Sequence, residues 1–191
     1  MRYSEAHKAE VRETLLNHAT RLVRSEGVLG TSVARVMGAA EMTVGGFYRH
    51  FDSQEALVGE ALARAFRAST EVLVEGLPEG EEFTRGLVHR YLSEAHLANV
   101  DAGCPVAANV SELSRLAPLA ARPLLDEVDA FVAESAHADG NGKARMWMVL
   151  ACCVGGVAIA RALGDEGPAV LRSIRKELLS TLPPKAPKAS R

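Results

Sequence analysis

Residues 43 to 57 read TVGGFYRHFDSQEAL. Two adjacent glycines, Gly45 and Gly46, stand where a short helix should begin, and an aromatic, basic, aromatic run follows at once. A glycine costs about 1 kcal/mol in a helix interior, so the pair needs a reason. Close approach of the backbone to another molecule is one. Phe47 and Phe51, four apart, share a helical face that anchors the segment on a core. Tyr48, Arg49 and His50 then project elsewhere as a hydroxyl, a guanidinium and an imidazole. All three are able to donate to phosphates or base edges. The same spacing also fits a plain helical hairpin with a solvated Tyr-Arg-His face.

Outward from this stretch, the chain reads as helix. Residues 5 to 26 carry Val11, Leu15, Ala19 and Leu22, with Leu16 and Val23 beside them, a stripe of helical period. Gly27 ends it. Thr31 or Ser32 is placed to cap a short second helix with Val33, Val36, Met37 and Ala40 on one face. Thr43 is placed to cap a third, reaching Phe51. Asp52 or Ser53 opens a fourth, running to about Leu77, and Asp52 and Glu55 have capping-box spacing. The stretch PEGEE breaks the chain, and helices follow over about 82–100, 105–115, 119–137, 143–163 and 168–181. The Pro- and Lys-rich residues 183–191 read as a disordered tail. No strand pattern stands out. The fold class is all-α: an N-terminal three-helix helix-turn-helix domain (1–53) joined to a larger helical domain (54–182), with a shared helix at the boundary. In a helix-turn-helix the second short helix lies in the major groove, which makes Val44, Gly45 and Gly46 the base-facing half.

Composition bounds the function. The formal net charge is −2 and 48% of the 191 residues are hydrophobic. That affords a sizeable core and confines any nucleic-acid binding to a local, oriented surface. Three cysteines, Cys104, Cys152 and Cys153, are not a disulfide framework and suit a cytoplasmic protein. The apolar run 146–160 is bracketed by Arg145 and Arg161 and falls short of a membrane span, so it reads as a buried helix. There is no metalloprotease, nucleophile-elbow, P-loop or dinucleotide motif, so an enzyme is not expected, nor a metal or cofactor.

The stretch 11 to 57 resembles the DNA-binding domain of TetR-family transcriptional regulators. The matching features are a first helix ending in SEG, then TSV, then FYRHF and SQEAL at the family's spacing. The resemblance implies a repressor that binds a palindromic operator as a homodimer and is released by a small molecule. Carried over by position, Thr31 or Ser32, Tyr48 and His50 contact phosphates, while Val44, Gly45, Gly46 and Arg49 face bases. Two positions depart from the family pattern. Glu41 stands where the family usually has the glycine of the turn, and Gln54 where it usually has a phosphate-contacting lysine. Both departures weaken affinity, and they leave open a relative that acts through protein contacts without DNA.

For the second domain the resemblance implies a small-molecule pocket among the middle helices. Phe66, Phe83, Tyr91, His96, Phe131 and Trp147 are its candidates, with ordinary core packing as the alternative for each aromatic. Pro105 suits a first helical position, which puts Cys104 at the N-cap, where unpaired N–H groups favour thiolate. Cys104 joins the ligand candidates because some TetR-family repressors sense oxidants or electrophiles through a cysteine. Ala151, Gly155, Ala158 and Ala162 recur at helical spacing and permit close packing. The resemblance makes them a dimer interface, with Leu171, Ile174, Leu178 and Leu179 from the last helix. A monomer using the same face internally is the alternative.

Overall fold

The computed structural model describes residues 5–101, 103–116, 118–140 and 142–182. Among them the chain is all helix, as its periodicity predicts. The expected tail at 183–191 lies outside the described residues.

The elements are α1 (Glu5–Ser25), α2 (Gly27–Gly30), α3 (Val33–Ala39), a 3₁₀ segment (Val44–Arg49), α4 (Gln54–Val74), α5 (Glu81–Tyr91), α6 (Glu94–Ala98), α7 (Pro105–Leu113), α8 (Pro118–Asp139), α9 (Lys143–Ala162), a 3₁₀ turn (Gly164–Glu166) and α10 (Gly167–Thr181). They form two compact units. One holds the described residues within 5–68 and 104–127, the other those within 69–103 and 128–182. The division falls within α4 and within α8.

In the first unit α1 buries Leu15, Leu16, Ala19 and Val23, the stripe read from its sequence. Gly27, at φ +73°, ends it by turning left-handed. Ser32 is the N-cap of α3, its hydroxyl accepting the Arg35 N–H. Gln54 Oε1 accepts a second orphan donor of the same helix, the Val33 N–H, at 3.3 Å. At the far end of α3 the Glu41 N–H bonds Gly38 O and the Met42 N–H bonds Met37 O. That pair of bonds is a Schellman cap, with Glu41 in the left-handed position at φ 57°. The turn therefore keeps its geometry without its glycine and carries the strain instead.

Three local expectations are corrected. The cap of α4 is Ser53, whose hydroxyl accepts the Ala56 N–H at 3.1 Å, so the Asp52–Glu55 box is not used. The single helix expected over 82–100 breaks after Tyr91, because Ser93 caps a new helix by accepting the His96 N–H. The third helix is 3₁₀ and Thr43 makes no side-chain cap bond.

In the second unit α10 packs on α9, α5 and α6. α9 is long and apolar enough to cross a membrane by length and composition. Its residues Met146, Val149, Leu150, Cys153, Val154, Val157 and Ala160 are buried within the unit, which makes it the unit's central helix. Arg161 donates to the carbonyls of His96 and Leu97, closing the end of α6.

Candidate nucleic-acid interface

The opening motif is built from the inside out. Phe47 is fully buried and Phe51 nearly so, and their rings stack with centroids 5.8 Å apart. Arg12 of α1 lies over the Phe51 ring at 4.5 Å, while its guanidinium pairs with Glu60 of α4. Two aromatic anchors and one cation–π contact thus fix the 3₁₀ segment against α1. The rest of the segment faces out. Tyr48 is 70% exposed, its ring edge-on to Phe47, and Val44, Gly45 and Arg49 are exposed.

The glycine pair has no internal explanation. Neither Gly45 nor Gly46 has a positive φ. A Cβ on Gly45 would meet open space, and one on Gly46 would make only ordinary contact with Met37. Nothing among the described residues requires two glycines here. The absent side chains leave the backbone bare on an outward surface.

A cleft of about 640 Å³ runs between the start of α1 and the 3₁₀ segment. His7, Lys8, Thr43, Tyr48, Arg49 and His50 line it. Burial first, then the cations Lys8, Arg49 and Arg12, push the His50 imidazole below its ordinary range, against a hydrogen bond to the Lys8 backbone that opposes the shift. The sequence reading missed His7 and Lys8. Their only signal was charge in the first turns of α1, which nothing local ties to residue 48.

The remaining candidates separate. Thr31 is fully buried and its hydroxyl donates to Gly27 O, so of the Thr31–Ser32 pair only Ser32 reaches the surface. Gln54 is exposed and placed at the joint of α3 and α4. In the second unit Tyr91 and His96 come together edge to face, with centroids 4.5 Å apart. His96 Nδ1 bonds the Tyr91 carbonyl at 2.8 Å, and burial lowers the imidazole's proton affinity. Phe83 and Phe131 are buried in that unit, whereas Trp147 is 41% exposed. Phe66 and Cys104 belong to the first unit and are buried. Cys104 is the N-cap of α7, but burial closes it to solution reagents. Along α9, Ala151, Cys152, Ile159, Ala162 and Leu163 are exposed, Ala158 is half-buried, and a Cβ on Gly155 would meet nothing. Leu171 and Leu178 are buried inside their own unit and Ile174 lies against Gly156, which removes the two leucines from an outward face.

A family model described as "Bacterial regulatory proteins, tetR family" matches residues 15–61. The HTH-type transcriptional repressor DhaR of Mycobacterium sp. (strain GP1) is 36% identical over 59 residues, 31% of this chain and 30% of that protein. The aligned segment thus spans under a third of that relative's length. Among solved structures, a TetR transcriptional regulator from Chloroflexus aurantiacus J-10-FL superposes with a TM-score of 0.67 at 22% identity, over 92% of this chain and 95% of that one. E. coli NemR in its reduced form gives 0.68 at 20% identity, over 93% and 99%. SCO4454 of Streptomyces coelicolor, a TetR-family regulator, gives 0.67 at 21%, over 94% and 95%. Residues 15–61 thus match the DNA-binding segment of the TetR family, and the fold of solved TetR-family regulators is shared over more than nine-tenths of the chain.

Proposed function

We propose that the chain is a transcriptional repressor that binds a palindromic operator as a homodimer and is released by a small-molecule effector. The observation that carries this is the outward Val44–Arg49 surface, with bare glycines and an exposed aromatic and cation held from behind by buried phenylalanines. Val44, Gly45, Gly46 and Arg49 meet base edges. Ser32, Tyr48, His50 and Gln54 meet the backbone. Double-stranded DNA is the partner and the protein works in the cytoplasm.

The dimer uses α9. Met148, Ala151, Cys152, Gly155, Ile159, Ala162 and Leu163 form a stripe at helical spacing that the protomer leaves uncovered. A second copy of the same stripe is its natural cover, because isologous two-fold pairing matches a self-complementary face. The effector site includes Tyr91 and His96, with Phe83 on α5 and Phe131 on α8. The test is a gel shift on the region upstream of the protein's own coding sequence. Retention of the complex against excess random duplex supports the reading, and competition by random duplex as strong as by promoter duplex refutes it.

A further inference from the structure

α7 comes from the middle of the chain, yet it packs on α1 and α2 within the first unit. Its contact is made of hydrogen bonds to bare backbone. Asn109 and Glu112, three apart on one face of α7, both reach α2. Asn109 Oδ1 accepts the Val28 N–H at 3.2 Å, Glu112 Oε2 accepts it at 2.9 Å, and the same carboxylate oxygen accepts the Leu29 N–H at 3.3 Å. Asn109 is fully buried, and its amide group donates to Pro105 O within α7 and to Val23 O of α1. The approach is close, at a residue whose φ of +73° already favours glycine. A Cβ on Gly27 would lie 3.2 Å from Asn109 Oδ1 and 3.2 Å from Glu112 Oε2.

These bonds replace the cap that α2 lacks, since its own N-cap residue Glu26 makes no side-chain cap bond. Glu26 is instead committed to Arg35 of α3. The next residues of the chain are tied to α2 in turn. The Thr31 N–H bonds Val28 O and the Thr31 hydroxyl bonds Gly27 O, Arg35 also donates to Gly30 O, and Ser32 then starts α3. α3 itself packs on the 3₁₀ segment that carries Tyr48 and Arg49.

We infer that Asn109 and Glu112 are positioning residues for operator recognition: by holding the Val28 and Leu29 N–H groups they fix α2, and through it the placement of α3 and the recognition segment. This rests on the proposed DNA-binding function. Neither residue touches DNA. Their effect falls on registration of the base-facing segment, so it appears in the ratio of specific to non-specific affinity, because only base contacts need registration.

The experiment compares Glu112→Ala with Glu112→Gln by fluorescence anisotropy on operator and scrambled duplex. Both variants lose the charge, but Gln keeps a carbonyl acceptor. The difference between them therefore isolates the hydrogen bond from long-range charge. Glu112→Ala should bind operator up to about 10-fold more weakly than Glu112→Gln, with equal affinity for scrambled duplex, the upper end of what loss of one neutral hydrogen bond costs. Hydrogen exchange supplies the structural readout. The Val28 and Leu29 amides should exchange faster in Glu112→Ala, while the melting temperature falls by no more than a few degrees below that of Glu112→Gln, so that both variants stay folded. Equal operator affinity of the two folded variants, with wild type binding specifically, overturns the inference and leaves the repressor reading intact. Wild type that does not discriminate operator from scrambled duplex overturns both.

Discussion

Glu41→Gly separates strain from charge at the turn of the helix-turn-helix. Glu41 occupies the C′ position of a Schellman cap at φ 57°, where an L-residue is disfavoured by about 1–2 kcal/mol. Glycine removes that cost but gains backbone freedom in the unfolded chain, which offsets about 0.4–1 kcal/mol. The bonds of the cap, Glu41 N–H to Gly38 O and Met42 N–H to Met37 O, are backbone bonds and survive the change. The expected net is a stabilisation of about 0.5–1 kcal/mol, or about 2 °C in melting temperature for a chain of this size. Glu41 is exposed, so its carboxylate adds no burial term. Glu41→Ala is the control, since it deletes the charge and keeps the strain. Both variants should bind any duplex more tightly than wild type, because a negative charge near the phosphates is gone. Only Glu41→Gly should be more stable. The assay is denaturant unfolding at one fixed protein concentration, as the proposed dimer requires, together with anisotropy on operator and scrambled duplex. If Glu41→Ala stabilises as much as Glu41→Gly, the left-handed strain is not what Glu41 costs, and the argument fails.

Other substitutions probe the interface and the second unit. Gln54→Lys should tighten binding to cognate and scrambled duplex alike and steepen the log–log salt slope by about 0.9 for each new phosphate contact. It should also lower stability by up to about 1 kcal/mol, because an ammonium cannot accept the Val33 N–H and sits at two helix N-termini; unchanged affinity and slope would remove Gln54 from the DNA backbone. Arg49→Ala should change which operator variants are preferred, whereas Tyr48→Phe should weaken all of them equally, read from affinities over single-base variants. Gly155→Arg should leave the protomer folded, since its Cβ direction is open, yet give a monomer in sedimentation at micromolar concentration; an intact dimer would move the interface off α9. His96 bears on acid stability. Its folded pKa is lowered by burial below the unfolded value of about 6.5. Its contribution is full above that value and declines as pH falls below it towards the folded pKa, because the unfolded chain takes up the proton first. Replacing His96 by Asn should flatten the fall in melting temperature between about pH 7 and 5; an unchanged slope would mean that other groups govern it.

The helices, including the short one over residues 44–49, were legible from the residues alone, and for a local reason. Apolar period, Gly27 as a stop, Ser32 as a cap and Pro105 as a first helical residue all act within a turn or two of the chain. The phenylalanine anchors were legible too, because residues four apart on a helix share a face. Where two neighbours offered the same chemistry, the choice was made by packing. Thr31 turned inward to Gly27 O and left Ser32 outside, Ser53 capped α4 in place of Asp52, and Leu171 and Leu178 were drawn into their own core. The burial of Cys104 belongs with these, since an N-cap position says nothing of solvent. The bonds of Asn109 and Glu112 to Val28 join residues 81 and 84 positions apart. No local pattern encodes such a pairing, because an amide and a carboxylate on a helix face look like any solvated pair until the fold brings an uncapped helix end against them.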